Sequence, residues 1–230
     1  MNIPVGAFAL LVSFPLCFQA VQAADEDGWI RLFDGKSLAG WKKYQGGSID
    51  KGWVAEDGVL SLKERGGGDI ITEQQFENFE LEFEWKIQPG GNSGVMYLVK
   101  TGDPAPYFSG PEYQVLDDAK HADGKNPKTS AGALYALVAA EGKKVNPPGQ
   151  WNSGKIVLKD KKLEHWVNGK KLIEIEVRGE KWNELVAGSK FNAWKQFGQA
   201  DKGHICLQDH GDPVQYRNIW IRPLPPTDRN

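Results

Sequence analysis

The chain has 230 residues and a formal net charge of −2, with 40% hydrophobic and 11% aromatic residues. This composition supports one large or two small globular domains with a substantial core. The small net charge gives no reason to expect a nucleic acid or an anionic membrane as a partner. Nine tryptophans are many for this length. Most of them should fill the core, and two or three should line a ligand surface.

Residues 1–23 are predicted to be a signal peptide. The apolar run Phe8–Leu16 precedes Val21-Gln22-Ala23, which fits the small-residue rule for signal cleavage. The mature chain would begin at Ala24 and be exported to the periplasm or the extracellular space. We expect no lipid tether at Cys17, and no later apolar run is long enough to form a transmembrane segment.

The two cysteines of the chain indicate whether a disulfide can form and whether a thiol could act as a nucleophile. Loss of Cys17 with the signal peptide would leave Cys206 alone, so an internal disulfide could not form. Cys206 lies in the apolar segment His204–Leu207, which favours a buried structural thiol over a nucleophile.

Alternating segments predict an all-β protein. In Phe79–Ile87 every second residue is apolar, and the intervening Glu80, Glu82, Glu84 and Lys86 should form a solvated face. Further strands are predicted in order along the chain: Trp53–Leu62, Gly94–Val99, Tyr113–Leu116, Ala133–Ala139, Lys155–Lys159, Leu163–Val167, Lys171–Val177, Gly203–Gln208 and Gln215–Arg222.

Turn signals separate these strands. Asp57-Gly58 splits the first of them, and Asn168-Gly169 divides the later pair, as is typical of hairpins. The segment Lys181–Trp194 predicts a short helix and a loop, because Gly188-Ser189 interrupts its apolar side. Together these signals indicate a single antiparallel β-sandwich or barrel domain over residues 24–222. Residues 223–230 are predicted to be a flexible tail.

The segment Glu112–Asp117 is a candidate site for chemistry. On an extended strand Glu112 and Gln114 share one face, opposite the core-like Tyr113 and Val115. A carboxylate beside an amide on an open sheet face can move a proton and hold a hydroxyl group. The alternative is an ordinary pair of surface side chains.

Histidines and further acids offer other candidates. His210 follows an apolar strand, where it can serve as an acid, a base or a ligand, or simply as a structural residue. His165 alternates with Leu163 and Val167 and can be a core histidine, whereas His121 lies in a polar loop. The histidines show no zinc-ligand spacing, and no calcium-loop pattern is present, although a divalent metal stays open.

The sequence was compared with the requirements of two classes of hydrolase. The chain has no Gly-x-Ser-x-Gly elbow for a serine nucleophile. A two-carboxylate glycosidase would need a second acid near Glu112. Asp117, Asp209 and Asp212 are available, but the sequence does not rank their distances.

Several short motifs, taken in order, resemble a known family, the 3-keto-disaccharide hydrolase domain, formerly a domain of unknown function. The resemblance covers nearly the whole mature chain. Its motifs are Leu32-Phe33-Asp34-Gly35-Lys36-Ser37-Leu38-Ala39-Gly40-Trp41, Asn92-Ser93-Gly94, Glu112-Tyr113-Gln114-Val115-Leu116-Asp117, Gly132-Ala133-Leu134-Tyr135, Trp151-Asn152, Asn168-Gly169, Leu207-Gln208-Asp209-His210-Gly211 and Arg217-Asn218-Ile219.

The resemblance implies a concanavalin A-like jelly-roll β-sandwich. It also implies a carbohydrate-active enzyme that cleaves a glycosidic bond in a sugar already oxidised at C3. Such a site needs a base, an acid, and donors or a metal at the developing oxyanion. Our hypothesis names Glu112 and His210 as the proton-transfer residues. The expected substrate-binding residues are Asn92, Gln114, Asp117, Tyr135, Trp151, Asn152, Gln208 and Arg217.

Two other functions stay open at this point. A non-catalytic, lectin-like module would show an open aromatic face, because the same sandwich serves in binding proteins. A purely structural domain would show no change in melting temperature with sugars.

Overall fold

A computed structural model describes residues 24–49 and 51–227. The predicted signal peptide lies outside the described residues, as does the end of the predicted tail. The described residues form thirteen strands: β1 Ile30–Arg31, β2 Trp41–Lys43, β3 Trp53–Glu56, β4 Val59–Leu62, β5 Ile70–Thr72, β6 Phe79–Ile87, β7 Asn92–Val99, β8 Glu112–Leu116, β9 Asn152–Lys159, β10 Lys162–Val167, β11 Lys170–Glu176, β12 His204–Leu207 and β13 Val214–Pro223.

The strands form two antiparallel sheets. The larger has eight strands in the order β11-β10-β9-β6-β13-β4-β3, with β1 paired to β13. The smaller has the order β2-β5-β12-β7-β8. Apolar side chains of both sheets, such as Phe83 and Tyr113, meet between them with ring centroids 5.2 Å apart. The predicted β-sandwich is therefore confirmed.

Strand β6 shows why the sheets pack in this way. Phe79, Leu81, Phe83, Trp85 and Ile87 are at most 2% exposed, and burial of each such side chain contributes about 1.5–3 kcal/mol. The alternate acidic residues point to the outer face of the larger sheet, where they pair with Lys155, Arg217 and Arg222. The predicted solvated face is confirmed.

A buried histidine joins the two sheets. The ring of His165 in β10 lies with Nε2 3.0 Å from the Tyr97 hydroxyl of β7 and Nδ1 3.3 Å from the Gly132 carbonyl. Burial lowers the His165 pKa to about 3, so the ring is neutral. His165 is thus a hydrogen-bonded core residue.

The turn and helix predictions are confirmed. Asp57-Gly58 and Asn168-Gly169 have positive φ at both positions, as type I′ turns require. Helix α1 spans Glu180–Ala187, and Ser189 then accepts a hydrogen bond from the Phe191 amide to begin a 3₁₀ turn at Lys190–Ala193. No helix in the described residues is long and apolar enough to cross a membrane.

The predicted strand Ala133–Ala139 is wrong. Leu134 forms single bridges with Tyr113 and Val138, and the chain then turns at Ala136, where φ is +59°. The Gly132–Tyr135 backbone runs along the free edge of β8 through hydrogen bonds to Glu112 and Gln114. The apolar pattern therefore reflects burial at a sheet edge.

The predicted flexible tail begins within β13, which ends at Pro223. Beyond it, the Leu224 amide donates to the Asn78 carbonyl at 2.9 Å, and Thr227 hydrogen bonds to Asp160. Residues 224–227 are thus held against the end of the sandwich.

Candidate active site

Glu112 lies on the outer face of the smaller sheet, away from the core. Its register partner in β7 is Met96, and that of Gln114 is Gly94. A Cβ atom at Gly94 would come within 2.3 Å of Glu112 Oε1, so the carboxyl group lies flat across the neighbouring strand. Only glycine at position 94 leaves room for the Glu112 carboxyl group. This steric requirement explains the glycine in the motif Asn92-Ser93-Gly94.

The environment of Glu112 favours the protonated form. Its side chain is buried, and no described residue makes a hydrogen bond to its carboxyl group. Burial raises the pKa of Glu112 to about 8, and the positive charge of Lys190 opposes that rise, whereas Asp69 and Asp123 add to it. Glu112 is therefore a proton donor at neutral pH. The predicted open face is wrong at this position, because Glu112 is only 7% exposed and Gln114 is fully buried.

A second acid, Asp69, lies on the same side of the sheet. It is in phase with Ile71, which belongs to the row Ile71, Cys206, Met96 and Glu112 across four adjacent strands. Burial and the nearby Asp209 charge raise the pKa of Asp69 to about 6, although the Asp209 amide donates a hydrogen bond to it at 2.9 Å. Asp69 is thus ionised at neutral pH. Asp69 was not predicted as a site residue, because an Asp before a three-residue strand gives no signal in the sequence.

Three predicted binding residues carry buried amide oxygens without a partner. They are Asn92 Oδ1, Gln114 Oε1 and Gln208 Oε1. The orientation of the Gln114 amide is set, because its Nε2 donates to the Thr129 carbonyl at 2.9 Å. Each unsatisfied buried acceptor costs roughly 1–3 kcal/mol, so the three oxygens favour a ligand that brings hydrogen-bond donors.

Lys190 and Tyr135 form one wall of this site. The Lys190 ammonium lies 4.5 Å from the Tyr135 ring centroid, and the Tyr135 hydroxyl donates to Asp123 Oδ2 at 3.4 Å. Tyr135 was predicted as a substrate-binding residue, and its backbone amide also donates to the Glu112 carbonyl at 3.0 Å. Lys190 was missed, because it lies in a 3₁₀ turn far along the chain from the other motifs.

His210 lies at the exposed rim. Its ring centroid is 6.1 Å from that of His121, and its Nδ1 is 3.9 Å from Asp212 Oδ2. Asp212 in turn accepts a hydrogen bond from the Asn92 backbone amide at 3.1 Å. No hydrogen bond between described residues joins His210 to Glu112, so the two do not form a direct pair in the free protein.

Two predicted substrate-binding residues, Asp117 and Asn152, instead make hydrogen bonds to neighbouring loops. Asp117 accepts hydrogen bonds from the Gly90 and Ala119 amides, at 2.7 and 3.0 Å. Asn152 Oδ1 accepts from the Asn146 amide and the Asn168 side chain, at 2.7 and 2.9 Å. Both side chains are therefore occupied in shaping loops.

Trp151 and Arg217 lie on the other side of the sandwich. The Arg217 guanidinium stacks 4.1 Å from the Trp151 ring centroid and pairs with Glu84 on the outer face of the larger sheet. The structure does not bring these two residues to Glu112. Sequence alternation shows which residues share a face, but it does not show to which sheet a strand belongs.

The described residues offer little support for a metal site or for a reactive thiol. Within residues 24–49 and 51–227, no three His, Cys, Asp or Glu side chains gather as metal ligands. Cys206 is fully buried, and burial raises the pKa of its thiol well above the usual value. The prediction of a buried structural thiol is confirmed.

The architecture and the site define a class of protein, the concanavalin A-like jelly-roll sandwich with a polar site on one sheet face. A similar fold occurs in the carbohydrate-binding module CBM66 from Bacillus subtilis, with a TM-score of 0.50 at 13% identity over 80% of this chain and 95% of that chain. At this identity the likeness concerns the fold alone.

The chain belongs to the 3-keto-alpha-glucoside-1,2-lyase-like domain family, whose sequence profile matches residues 28–222. It is 36% identical to a 3-keto-disaccharide hydrolase from Bacteroides thetaiotaomicron, over 87% of this chain and 80% of the relative. A crystal structure of a candidate glycosyl hydrolase from Parabacteroides distasonis matches with a TM-score of 0.81 at 38% identity, over 86% of this chain and 95% of that chain. The family resemblance seen in the motifs is confirmed.

Proposed function

We propose that this protein is a hydrolase that cleaves the glycosidic bond of 3-keto disaccharides or related 3-keto glycosides. Family membership and the hydrolase from Bacteroides thetaiotaomicron support the reaction class. The observation that carries the proposal is the buried, hydrogen-bond-free Glu112 carboxyl group beside three unpartnered amide oxygens. That arrangement supplies a proton and acceptors for sugar hydroxyls on one sheet face.

The chemistry uses the ketone at C3 of the substrate. The ketone acidifies the C2 proton, and a base removes it while negative charge develops on O3. The electron pair then expels the oxygen at C1, which takes a proton from an acid to leave as an alcohol. Water adds across the resulting double bond, so the overall reaction is hydrolysis. Both proton transfers and the oxyanion need placed protein groups.

We assign Glu112 as the acid, because burial raises its pKa to about 8 and keeps it protonated at pH 7. We assign Asp69 as the base in preference to His210, because Asp69 is ionised above about pH 6 and shares the sheet face with Glu112. His210 lies at the rim, where it can contact the outer sugar.

Lys190 supplies the positive charge for the developing oxyanion, since its charge already acts on Glu112 and its ammonium lies against the Tyr135 ring. The amide oxygens of Asn92, Gln114 and Gln208 accept hydrogen bonds from sugar hydroxyls. Removal of one oxyanion-stabilising group commonly lowers kcat by about 100- to 1000-fold.

The test uses the purified mature protein and Glu112→Gln. Aryl glucosides and their 3-keto forms are incubated with each protein, with and without a chelator, and aglycone release is followed. Release from the 3-keto forms alone, lost in Glu112→Gln, is the expected result. Release from ordinary glucosides would instead indicate a two-carboxylate glycosidase, and binding without release would indicate a lectin-like module. Loss of release with the chelator would add a metal to the site.

Export of the protein to the periplasm or the cell exterior is also proposed, on the pattern of residues 1–23. Fractionation of the producing cells and N-terminal sequencing of the recovered protein would test it. A mature start at Ala24 is expected, and an intact N-terminus in the cytoplasmic fraction would overturn the proposal.

A further inference from the structure

The outer face of the larger sheet carries a groove of about 530 Å³, on the opposite side of the sandwich from Glu112. Trp166 of β10 and Trp220 of β13 line it, together with Ser153, Asn218 and the backbone at Gly154 and Gly169. Its volume falls within the range of small-molecule sites, roughly 300–1,000 Å³. Nothing in the proposed reaction uses this surface.

The two tryptophans form opposite walls. The strand register aligns Trp220 with Glu82, Glu82 with Lys155, and Lys155 with Trp166. Two strands therefore lie between the walls, which places the two backbones about 14 Å apart at the usual strand spacing. This width accommodates a short oligosaccharide whose apolar sugar faces contact the indole rings.

The charges in the groove are paired. Lys155 binds Glu80 and Glu82 at 2.8 and 2.7 Å. Glu84 accepts from Arg217 at 2.7 Å and from the Asn218 amide at 2.6 Å. Because each acid already has a cationic partner, the floor offers hydrogen bonds without a net charge, which suits a neutral ligand better than an anion.

The rings are held in place. The Trp166 indole N–H donates to Glu164 at 2.9 Å, and the Arg31 guanidinium lies 5.3 Å from the Trp220 ring centroid. Lys155 and Glu82 form the floor between the walls, bound to each other at 2.7 Å, and the Lys155 ammonium lies 5.9 Å from the Trp166 ring centroid. Ser153, which is small and exposed, lies beside them in β9. Preorganised aromatic walls lose little conformational entropy when a ligand binds.

We propose that the Trp166–Trp220 groove is an accessory binding site for neutral oligosaccharides. It would hold the protein on a glycan while the Glu112 face processes released sugars. The proposal goes beyond the catalytic function and does not depend on it, since a carbohydrate ligand can bind this face whatever reaction the other face performs.

The test is isothermal titration calorimetry with neutral gluco-trisaccharides of α-1,4, β-1,4 and β-1,3 linkage. The variants Trp166→Ala and Trp220→Ala remove one wall each, and Ser153→Arg fills the floor without removing a packed side chain. Each should weaken binding by about tenfold or more, the order expected for loss of one aromatic contact. Trp29→Ala is the matched control, because Trp29 is also half-buried beneath a guanidinium, that of Arg222, but does not line the groove.

Release of aglycone from a soluble 3-keto glucoside is measured in parallel and should be unchanged in all four variants. No binding of any trisaccharide by the wild-type protein at millimolar concentration would overturn the proposal, as would binding that Ser153→Arg leaves intact. Sedimentation analysis completes the test. A mass that halves in Ser153→Arg would assign the groove to a contact between copies of the chain and would also overturn it.

Discussion

At the scale of single residues, Glu112 couples protonation to stability. Its pKa is about 8 in the folded protein and 4.5 ordinarily. Between these values the folded state binds more protons than the unfolded chain, so stability falls as pH rises. The window pH 7–8 is dominated by Glu112, because Asp69, with a pKa of about 6, and His165, with an ordinary value of 6.5, titrate mainly below it.

We predict that the free energy of unfolding of the wild-type protein falls between pH 7 and 8, by up to about 1.4 kcal/mol per pH unit from Glu112. Glu112→Gln should remove that slope. Urea unfolding at several pH values measures it. Glu56→Gln is the control, because Glu56 is exposed and pairs with Lys63 at the surface. Identical slopes in wild type and Glu112→Gln would contradict the prediction.

The same two acids predict the pH dependence of catalysis. The base must be ionised and the acid protonated, so kcat/KM should be bell-shaped, with limbs near pH 6 from Asp69 and near pH 8 from Glu112. Asp69→Asn should lower kcat/KM by about 100-fold or more and remove the acid limb. His210→Ala should keep that limb, and its loss in His210→Ala would transfer the role of base to the histidine.

At the scale of elements, the contact between β7 and β8 positions Glu112, the proposed acid. Gly94→Ala places a methyl group where Glu112 Oε1 lies, 2.3 Å away, and should displace the carboxyl group. A shift of about 1 Å can cost about 100-fold in rate. We expect a loss of kcat of that order with little loss of far-ultraviolet β signal. Gly188→Ala, where an added Cβ meets nothing closer than 3.6 Å, is the control. Unchanged kcat in Gly94→Ala would show that Glu112 is not positioned by this contact.

The 3₁₀ turn at Lys190–Ala193 brings a cation to the site. The Lys190 charge holds the Glu112 pKa below the value that burial alone would give. Lys190→Met should therefore move the basic limb of kcat/KM to higher pH and lower its maximum by about 10-fold or more. Lys181→Met, on the exposed side of α1, should change neither. A basic limb that stays at the same pH in Lys190→Met would show that the Lys190 charge does not influence the Glu112 pKa.

The elements also show what sequence alone can predict. Alternation in Phe79–Ile87 predicted β6 with its observed bounds, because one face is fully buried and the other solvated. It placed Glu112 and Gln114 on the correct face of β8. It could not show that Trp151 and Arg217 lie on a different sheet, because sheet membership depends on long-range pairing. Asp69 and Lys190 have no periodic signal, and only the fold brings them near Glu112.

At the scale of the whole molecule, His165 ties the two sheets together in its neutral form. Its pKa is about 3 in the folded protein and 6.5 ordinarily. The unfolded chain therefore binds an extra proton below about pH 6.5, and this residue's contribution to stability is lost as pH falls from there towards 3.

We predict that between pH 4 and 6 the free energy of unfolding of His165→Gln rises less, or falls more, with increasing pH than that of the wild type, by up to about 1.4 kcal/mol per pH unit. The difference between the two proteins isolates His165 from the opposing contributions of Glu112 and Asp69. His210→Gln, at an exposed position, should retain the wild-type dependence. Equal slopes for His165→Gln and wild type would mean that His165 is protonated in the fold.

Cys206 has a consequence for the motion of the whole sandwich. It is the single cysteine of the described residues, fully buried between Ile71 and Met96 in the sheet that carries Glu112. A thiol reagent can reach it only when β12 separates from its neighbours, because the folded sheet shields the sulfur from both sides. The rate of alkylation of Cys206 therefore measures how often the smaller sheet opens. If the substrate binds across β7, β8 and β12 as proposed, it should slow that alkylation.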